Sequence, residues 1–242
     1  LNNFNFNEQR PDVDPTNGRI LVNESEGLNS FLTKMYAWMA LAVLVSAGVA
    51  YYAGSVMKVT PTGGMSWILL IAWFILPFIL GRAAMRNAVV GFIELMVYAA
   101  LTGLMFSSIF IAYTGTTITT AFVSSASIFV AMSAVGLFTK RSLAKLGTQL
   151  FGAMIGLIVA MLVNLFLKSG MIELFLSLAA VVIFSLLTMF DTRQMKALYI
   201  NFHDRISMNG LAINGALALY LDFINIFISL LEIFGGVGNN RN

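Results

Sequence analysis

The chain of 242 residues has no cysteine, which removes a disulfide framework, a thiolate nucleophile and any Cys-based zinc site. Charge is scarce as well: only 10% of the residues are Asp, Glu, Lys or Arg, against roughly 25% in a soluble domain. That scarcity excludes a soluble globular enzyme and a disordered chain together. The one histidine, His203, cannot hold a metal by itself. No phosphate-cradling glycine loop, zinc-binding His-Glu-x-x-His helix or EF-hand loop is present. Of the four prolines only Pro77 falls inside a long apolar run, which argues against the paired broken helices of many secondary transporters. No lysine follows Lys196, so a retinal Schiff base on the last helix is excluded. The net charge of +3 is no signal for nucleic acid, because the basic residues gather at the edges of apolar runs.

What is abundant is apolar surface, at 59% of the residues. A transmembrane helix uses roughly 20 such residues, so the stock fills about seven of them. The sequence therefore predicts an all-α polytopic membrane protein with seven transmembrane helices near 31–54, 65–81, 88–113, 117–138, 147–167, 171–190 and 210–235. Residues 1–30 are polar and hold five acids (Glu8, Asp12, Asp14, Glu24, Glu26) against Arg10 and Arg19. They read as a flexible cytoplasmic arm, followed by a transmembrane domain over 31–236 and a short extracytoplasmic tail over 237–242. Lys and Arg set the orientation. Eleven lie on the arm, the start of span one and the loops after spans two, four and six; three (Lys58, Lys168, Arg241) lie opposite. The N-terminus is expected in the cytoplasm and the C-terminus outside, the reverse of seven-span receptors and rhodopsins. The lipid bilayer of a plasma membrane is the expected surrounding.

Polar side chains inside a span are costly, so each one needs a role. Steps of three and four along the last span align Asn214, Ala218, Asp222, Asn225, Ser229, Glu232 and Gly236 on one face. Such a stripe fits a central helix better than a lipid-facing one. Interhelical hydrogen bonding for packing accounts for Asn and Ser; Asp222, deep in the span, asks for more. Span five repeats Gly152, Gly156, Ala160 and Asn164 at intervals of four, the spacing of a close-packing face. Span six ends with Ser185, Thr188 and Asp191, the last either an interfacial acid paired with a base or part of a site. Span three carries Glu94 in its cytoplasmic third, either a neutral hydrogen-bonded carboxyl or part of an ion path. Glu173 and Glu232 fall near outer ends, where solvation is expected.

Four stretches taken in order resemble the transmembrane Bax-inhibitor-motif family. They are YAALTGLMFSSIFIAYTG from Tyr98, FTKRSLAKLG after span four, MFDTRQMK at the end of span six and ALALYLDFINIFISLLEIFG from Ala216. The resemblance covers roughly residues 30 to 236. It implies two three-helix layers around a central C-terminal helix, in agreement with the polar stripe. It also implies a pH-sensitive calcium leak gated by a hydrogen-bonded aspartate pair, which falls on Asp191 and Asp222. An arginine at the cytoplasmic end of span two latches onto that pair in the family's closed form. Alignment on Val90-Gly91-Phe92 puts Met85 at its place, so Arg86 and Arg82 are both latch candidates here.

Two facing carboxylates cannot both ionise cheaply, so the pair would titrate as a unit and hold one shared proton near neutrality. Protonation is expected to loosen the latch and shift the last helix against spans two and six. A path along Asp222, Asn225 and Ser229, with Asn214 and Glu94 as further candidates, would then pass calcium as a permeant ion. Calcium prefers oxygen ligands, and these are too few for a tightly bound metal. No cofactor is expected, and a monomer suffices. Two other functions compete. Some bacterial relatives look like regulators of a membrane-bound ATP-dependent protease, for which the arm would suit recognition. An intramembrane aspartyl protease also uses two aspartates, but Leu219-Tyr220-Leu221 stands where its Gly-x-Gly precedes the second one.

Overall fold

The computed structural model describes residues 24–58, 60–61, 63–139, 144–202 and 207–239. Side chains at 24–25, 65, 74, 78–84, 86, 144 and 237–239 lie outside the described residues. So do His203 and residues 1–23 of the expected arm.

The described chain is helical throughout. Helix α1 spans Glu24–Tyr51 and closes in a π turn, Tyr52–Val56. Helix α2 spans Gly64–Arg86 and α3 spans Ala88–Met105, followed by a 3₁₀ turn at Phe106–Ser108 and a short α4 at Ile109–Ala112. Then come α5 (Gly115–Phe138), α6 (Ala144–Leu167), α7 (Gly170–Phe202) and α8 (Met208–Asn239). Six stretches are long and apolar enough to cross a membrane, those of α1, α3–α4, α5, α6, α7 and α8. The expected seventh, α2, contributes a shorter described apolar stretch over Ser66–Pro77.

Local chemistry sets several boundaries. Asn87 is extended and its side-chain oxygen accepts from the amides of Val89 (3.0 Å) and Val90 (3.4 Å), capping α3. Thr114 does the same for α5 through the Thr117 amide at 3.2 Å. Asn164 closes α6: its backbone carbonyl accepts from Lys168 N at 2.7 Å, and its side chain accepts from Ser169 N at 3.2 Å. Lys168 takes the left-handed φ of 51° that turns the chain into α7.

Four expectations change. The arm expected over 1–30 is helical from Glu24, and α8 runs through Gly236 into the expected tail as far as Asn239. The span expected to end at 190 continues to Phe202, making α7 33 residues long. At 1.5 Å per residue that is about 50 Å, well beyond a hydrocarbon core of about 30 Å. The Gly152–Gly156 ladder is not a packing face within the chain: both glycines are exposed and an added Cβ meets nothing within 4 Å.

The core forms around α8, which packs against α1, α2, α3, α5 and α7. Helices α1 and α2 also meet α3, while α5 and α6 meet α7. One apolar cluster joins Met35, Leu95, Tyr98, Leu219 and Tyr220; a second joins Leu150, Phe184, Ile226 and Leu231. Two glycines let backbones touch. A Cβ on Gly103 would sit 2.5 Å from the Ser46 carbonyl oxygen, and one on Gly136 2.5 Å from that of Met189. Small residues at these crossings supply the packing attraction that lipid-solvated helices otherwise lack.

Candidate functional site

The extra length of α7 decides where its carboxylate lies. Asp191 is eleven residues before the helix ends at Phe202, and Asp222 is fourteen residues after α8 begins at Met208. The two helices pack as antiparallel neighbours, so these positions fall at matching depth. A span ending at 190 would have left Asp191 at the membrane boundary.

Asp222 is 4% exposed and lies close enough to Asp191 to feel its charge. Thr188, fully buried one turn before Asp191, meets the Asp222 carboxyl with its hydroxyl. The same hydroxyl is 2.8 Å from the Phe184 carbonyl, its acceptor within the helix. Oxygen Oδ2 of Asp222 is buried with no hydrogen-bond partner. Ser133 Oγ on α5 and Glu94 Oε2 on α3 are the other buried polar atoms in that condition among the described residues.

Other expected residues separate into distinct places. Asn225 donates from Nδ2 to the Leu221 carbonyl at 2.8 Å, and Ser229, one turn on, is 3% exposed. Both continue the face of Asp222 towards the far end of α8. Asn214 is half-buried on the opposite side of Asp222 along the helix. Glu94 stands apart on α3, and among the described residues no hydrogen bond joins it to the α7–α8 seam. The side chains of Arg82 and Arg86 lie outside the described residues.

Glu232 is not solvated as expected. It accepts a hydrogen bond from Ser177 of α7 at 2.6 Å, because the carboxylate stripe turns inward against α7. Tyr113, in the turn between α4 and α5, packs its ring on Gly235 one turn away. Burial first, then the nearby charges of Glu232 and Glu173, push its hydroxyl above the ordinary phenol range. This face of α8 thus carries Asp222 near its middle and Glu232, bonded to Ser177, towards its end.

On the opposite flank a second polar node holds α8 to α1 and α3. Tyr220 OH lies 2.6 Å from Ser46 Oγ, which is also 3.0 Å from the Ala42 carbonyl and 2.8 Å from that of Ala99. Ser46 has one proton and both carbonyls can only accept, so Tyr220 is the donor to Ser46. Tyr98 stacks edge-on against Tyr220 at 6.0 Å and donates to the Trp73 carbonyl at 3.2 Å. Sequence reading missed Ser133, Thr192 and this tyrosine node. The available signal was spacing by four: Ser125, Phe129 and Ser133 on α5, and Thr188 and Thr192 on α7.

An all-helical chain with several membrane-crossing helices, a buried central helix and a carboxyl at its middle defines a multi-pass membrane protein with an intramembrane acidic site. The family model for "Inhibitor of apoptosis-promoting Bax1" matches residues 28–240, and the chain belongs to that Bax-inhibitor family. It is 40% identical over 222 residues to the inner membrane protein YbhL of Escherichia coli K12, covering 89% of this chain and 95% of that one. A membrane protein of Streptococcus pyogenes serotype M3 is 38% identical over 226 residues, with 90% and 98% covered. A protein of Deinococcus radiodurans is 40% identical over 220 residues, with 89% and 92% covered.

Proposed function

We propose that the chain is a pH-sensitive calcium leak of the plasma membrane, gated by a proton shared between Asp191 and Asp222. The observation that carries this reading is Asp222 itself: a carboxyl buried at 4% exposure in the middle of the central helix, beside a second acid, with one oxygen unpartnered. An isolated carboxylate is expensive away from water, so a structural role alone would favour an uncharged side chain there. Two neighbouring acids that hold one proton between them relieve the repulsion and make the seam responsive to pH.

In this reading α2 is the seventh span, and two groups, α1–α3 and α5–α7, enclose α8. The N-terminus faces the cytoplasm, as the Lys and Arg distribution argues. Arg82 or Arg86, at the end of α2, forms the latch to the pair, and protonation releases it. Calcium then passes along Asp222, Asn225 and Ser229 towards Glu232. Oxygen donors of this kind suit a hard cation, and their sparseness suits transit over storage. The chain acts as a passage and makes or breaks no bond.

The test is calcium flux into liposomes between pH 6 and 8 with purified protein. Asp222→Asn and Asp191→Asn should each flatten the pH response. Flux with an unaltered pH profile in both variants ends the proposal.

A further inference from the structure

We propose that Ser133, Thr192 and Tyr36, with one internal water, form a hydroxyl chain that carries protons between Asp222 and the end of the bundle where α8 begins. The inference rests on the proton-holding role proposed above for the aspartates and identifies the route by which that proton arrives.

Ser133 is 5% exposed, and its Oγ has no hydrogen-bond partner. Its neighbours behave otherwise. Ser125 and Ser127 on the same helix, and Ser185 and Thr188 on α7, donate to the carbonyl four residues back, at 2.5 to 2.8 Å. Ser133 forgoes that bond, so its hydroxyl is turned away from its own helix.

Contacts on either side locate it. Phe129, one turn before, stacks edge-on against Phe223 at 5.8 Å, the residue next to Asp222. Phe129 also meets the ring of Tyr36 at 6.3 Å. Gly136, about one turn after, is pressed against Met189 and Thr192 of α7. Ser133 therefore stands where α1, α5, α7 and α8 converge. Asp222 Oδ2, a second unpartnered buried oxygen, comes from the last of these helices; the third, Glu94 Oε2, is on α3. Thr192 is fully buried, and its Oγ1 lies 3.3 Å from the hydroxyl of half-buried Tyr36.

A buried polar atom without a partner costs about 1–3 kcal/mol. A water with two to four polar partners is the usual remedy. Asp222 Oδ2, Ser133 Oγ and the Thr192 hydroxyl supply that number. In the chain so formed each hydroxyl accepts a proton on a lone pair and gives up its own to the next oxygen. A proton arriving at Tyr36 thus leaves Asp222 protonated and every hydroxyl neutral; release runs the same steps in reverse. Protons delivered this way bypass the apolar seam.

The titratable groups on the surrounding elements include Glu26 and Lys34 on α1, Glu94 on α3, and Glu173, Asp191, Arg193 and Lys196 on α7. On α7, Lys196 donates to the Leu137 carbonyl at 2.8 Å, Arg193 is two residues beyond Asp191, and Asp191 belongs to the pair. On α1, Lys34 donates to Asn209 at 3.5 Å. Helix α5 carries no charged residue, and α8 carries only Asp222 and Glu232, the latter at the opposite end. Helix α2 contributes the latch candidates Arg82 and Arg86. Tyr36 lies two residues from Lys34, whose bond to Asn209 places this part of α1 beside the start of α8.

The test is infrared spectroscopy of purified protein, which reads the protonated carboxyl directly and needs no flux. The C=O stretch of Asp222 is identified by its loss in Asp222→Asn. Ser133→Ala should shift that band to higher frequency, since the carboxyl loses its water. Ser133→Ala and Tyr36→Phe should each slow its hydrogen–deuterium exchange by roughly tenfold, the rate equivalent of one hydrogen bond. A thermal unfolding midpoint close to that of the parent protein verifies that both variants are folded. An unshifted band with unchanged exchange in both variants overturns the route. Absence of any protonated-carboxyl band lost in Asp222→Asn overturns the proton-holding reading itself, so the two failures are distinct.

Discussion

Ser46 and Tyr220 illustrate how much a single hydroxyl decides in this core. Tyr220 OH donates to Ser46, and Ser46 donates its own hydrogen bond to a backbone carbonyl, so the two side chains are not equivalent. Tyr220→Phe removes one donor and leaves Ser46 with its carbonyl partner, a loss of about 1 kcal/mol. Ser46→Ala takes the 2.6 Å acceptor from the Tyr220 hydroxyl at 0% exposure, leaving Thr102 as its remaining partner, and should cost more, about 1–3 kcal/mol. Thermal unfolding in detergent is expected to rank Ser46→Ala below Tyr220→Phe; the opposite ranking would reverse the donor assignment. Tyr220 was legible in the sequence only as part of a family-like stretch. Nothing in its neighbourhood along the chain names Ser46, 174 residues away, as its partner.

At the scale of helices, glycines separate into two kinds that the sequence presents alike. Gly136 is the contact point between α5 and α7, where an added Cβ would press on the Met189 carbonyl and on Thr192. Gly136→Ala should therefore part the two helices and cost about 1–3 kcal/mol. Gly156 occupies the regular four-residue ladder on α6 but faces outward with open space around it. Gly156→Ala there should be neutral or stabilise by up to about 1 kcal/mol, since alanine is the better helix former. The unfolding midpoint should fall for Gly136→Ala and hold or rise for Gly156→Ala. A ladder that spells close packing in sequence marks an outer face because α6 meets the rest of the bundle through α7. The π turn after α1 carries a similar lesson. Gly54 brings it against the Ser107 carbonyl of the 3₁₀ turn after α3, so two irregular stretches meet and shield each other's backbone from lipid.

For the whole molecule the proposed orientation has a direct check, made clean by the absence of cysteine. Single cysteines at exposed Lys58 and Lys168 should react with a membrane-impermeant maleimide added outside intact cells. Cysteines at exposed Asn201 and Ser207 should react only after permeabilisation. Labelling in the reverse sense would invert the assignment and place the start of α8 outside. It would also turn the proton route towards the extracytoplasmic face.

Composition alone settled that this chain lives in a bilayer, because no soluble fold hides so much apolar surface behind so few charges. Periodicity placed the helices within several residues, the end of α7 apart, and singled out α8 as the central one, since its polar stripe had to be buried. Depth and partnership came only from the tertiary structure. The run around Asp191 looks like a loop because its polarity rises there, yet packing against α5 and α8 keeps it helical to Phe202 and brings Asp191 level with Asp222. Glu232 appeared solvated for the same reason and is in fact bonded to Ser177. Hydropathy records what a residue would cost in lipid; which neighbour offsets that cost depends on contacts across the fold, and those exist only once the helices have come together.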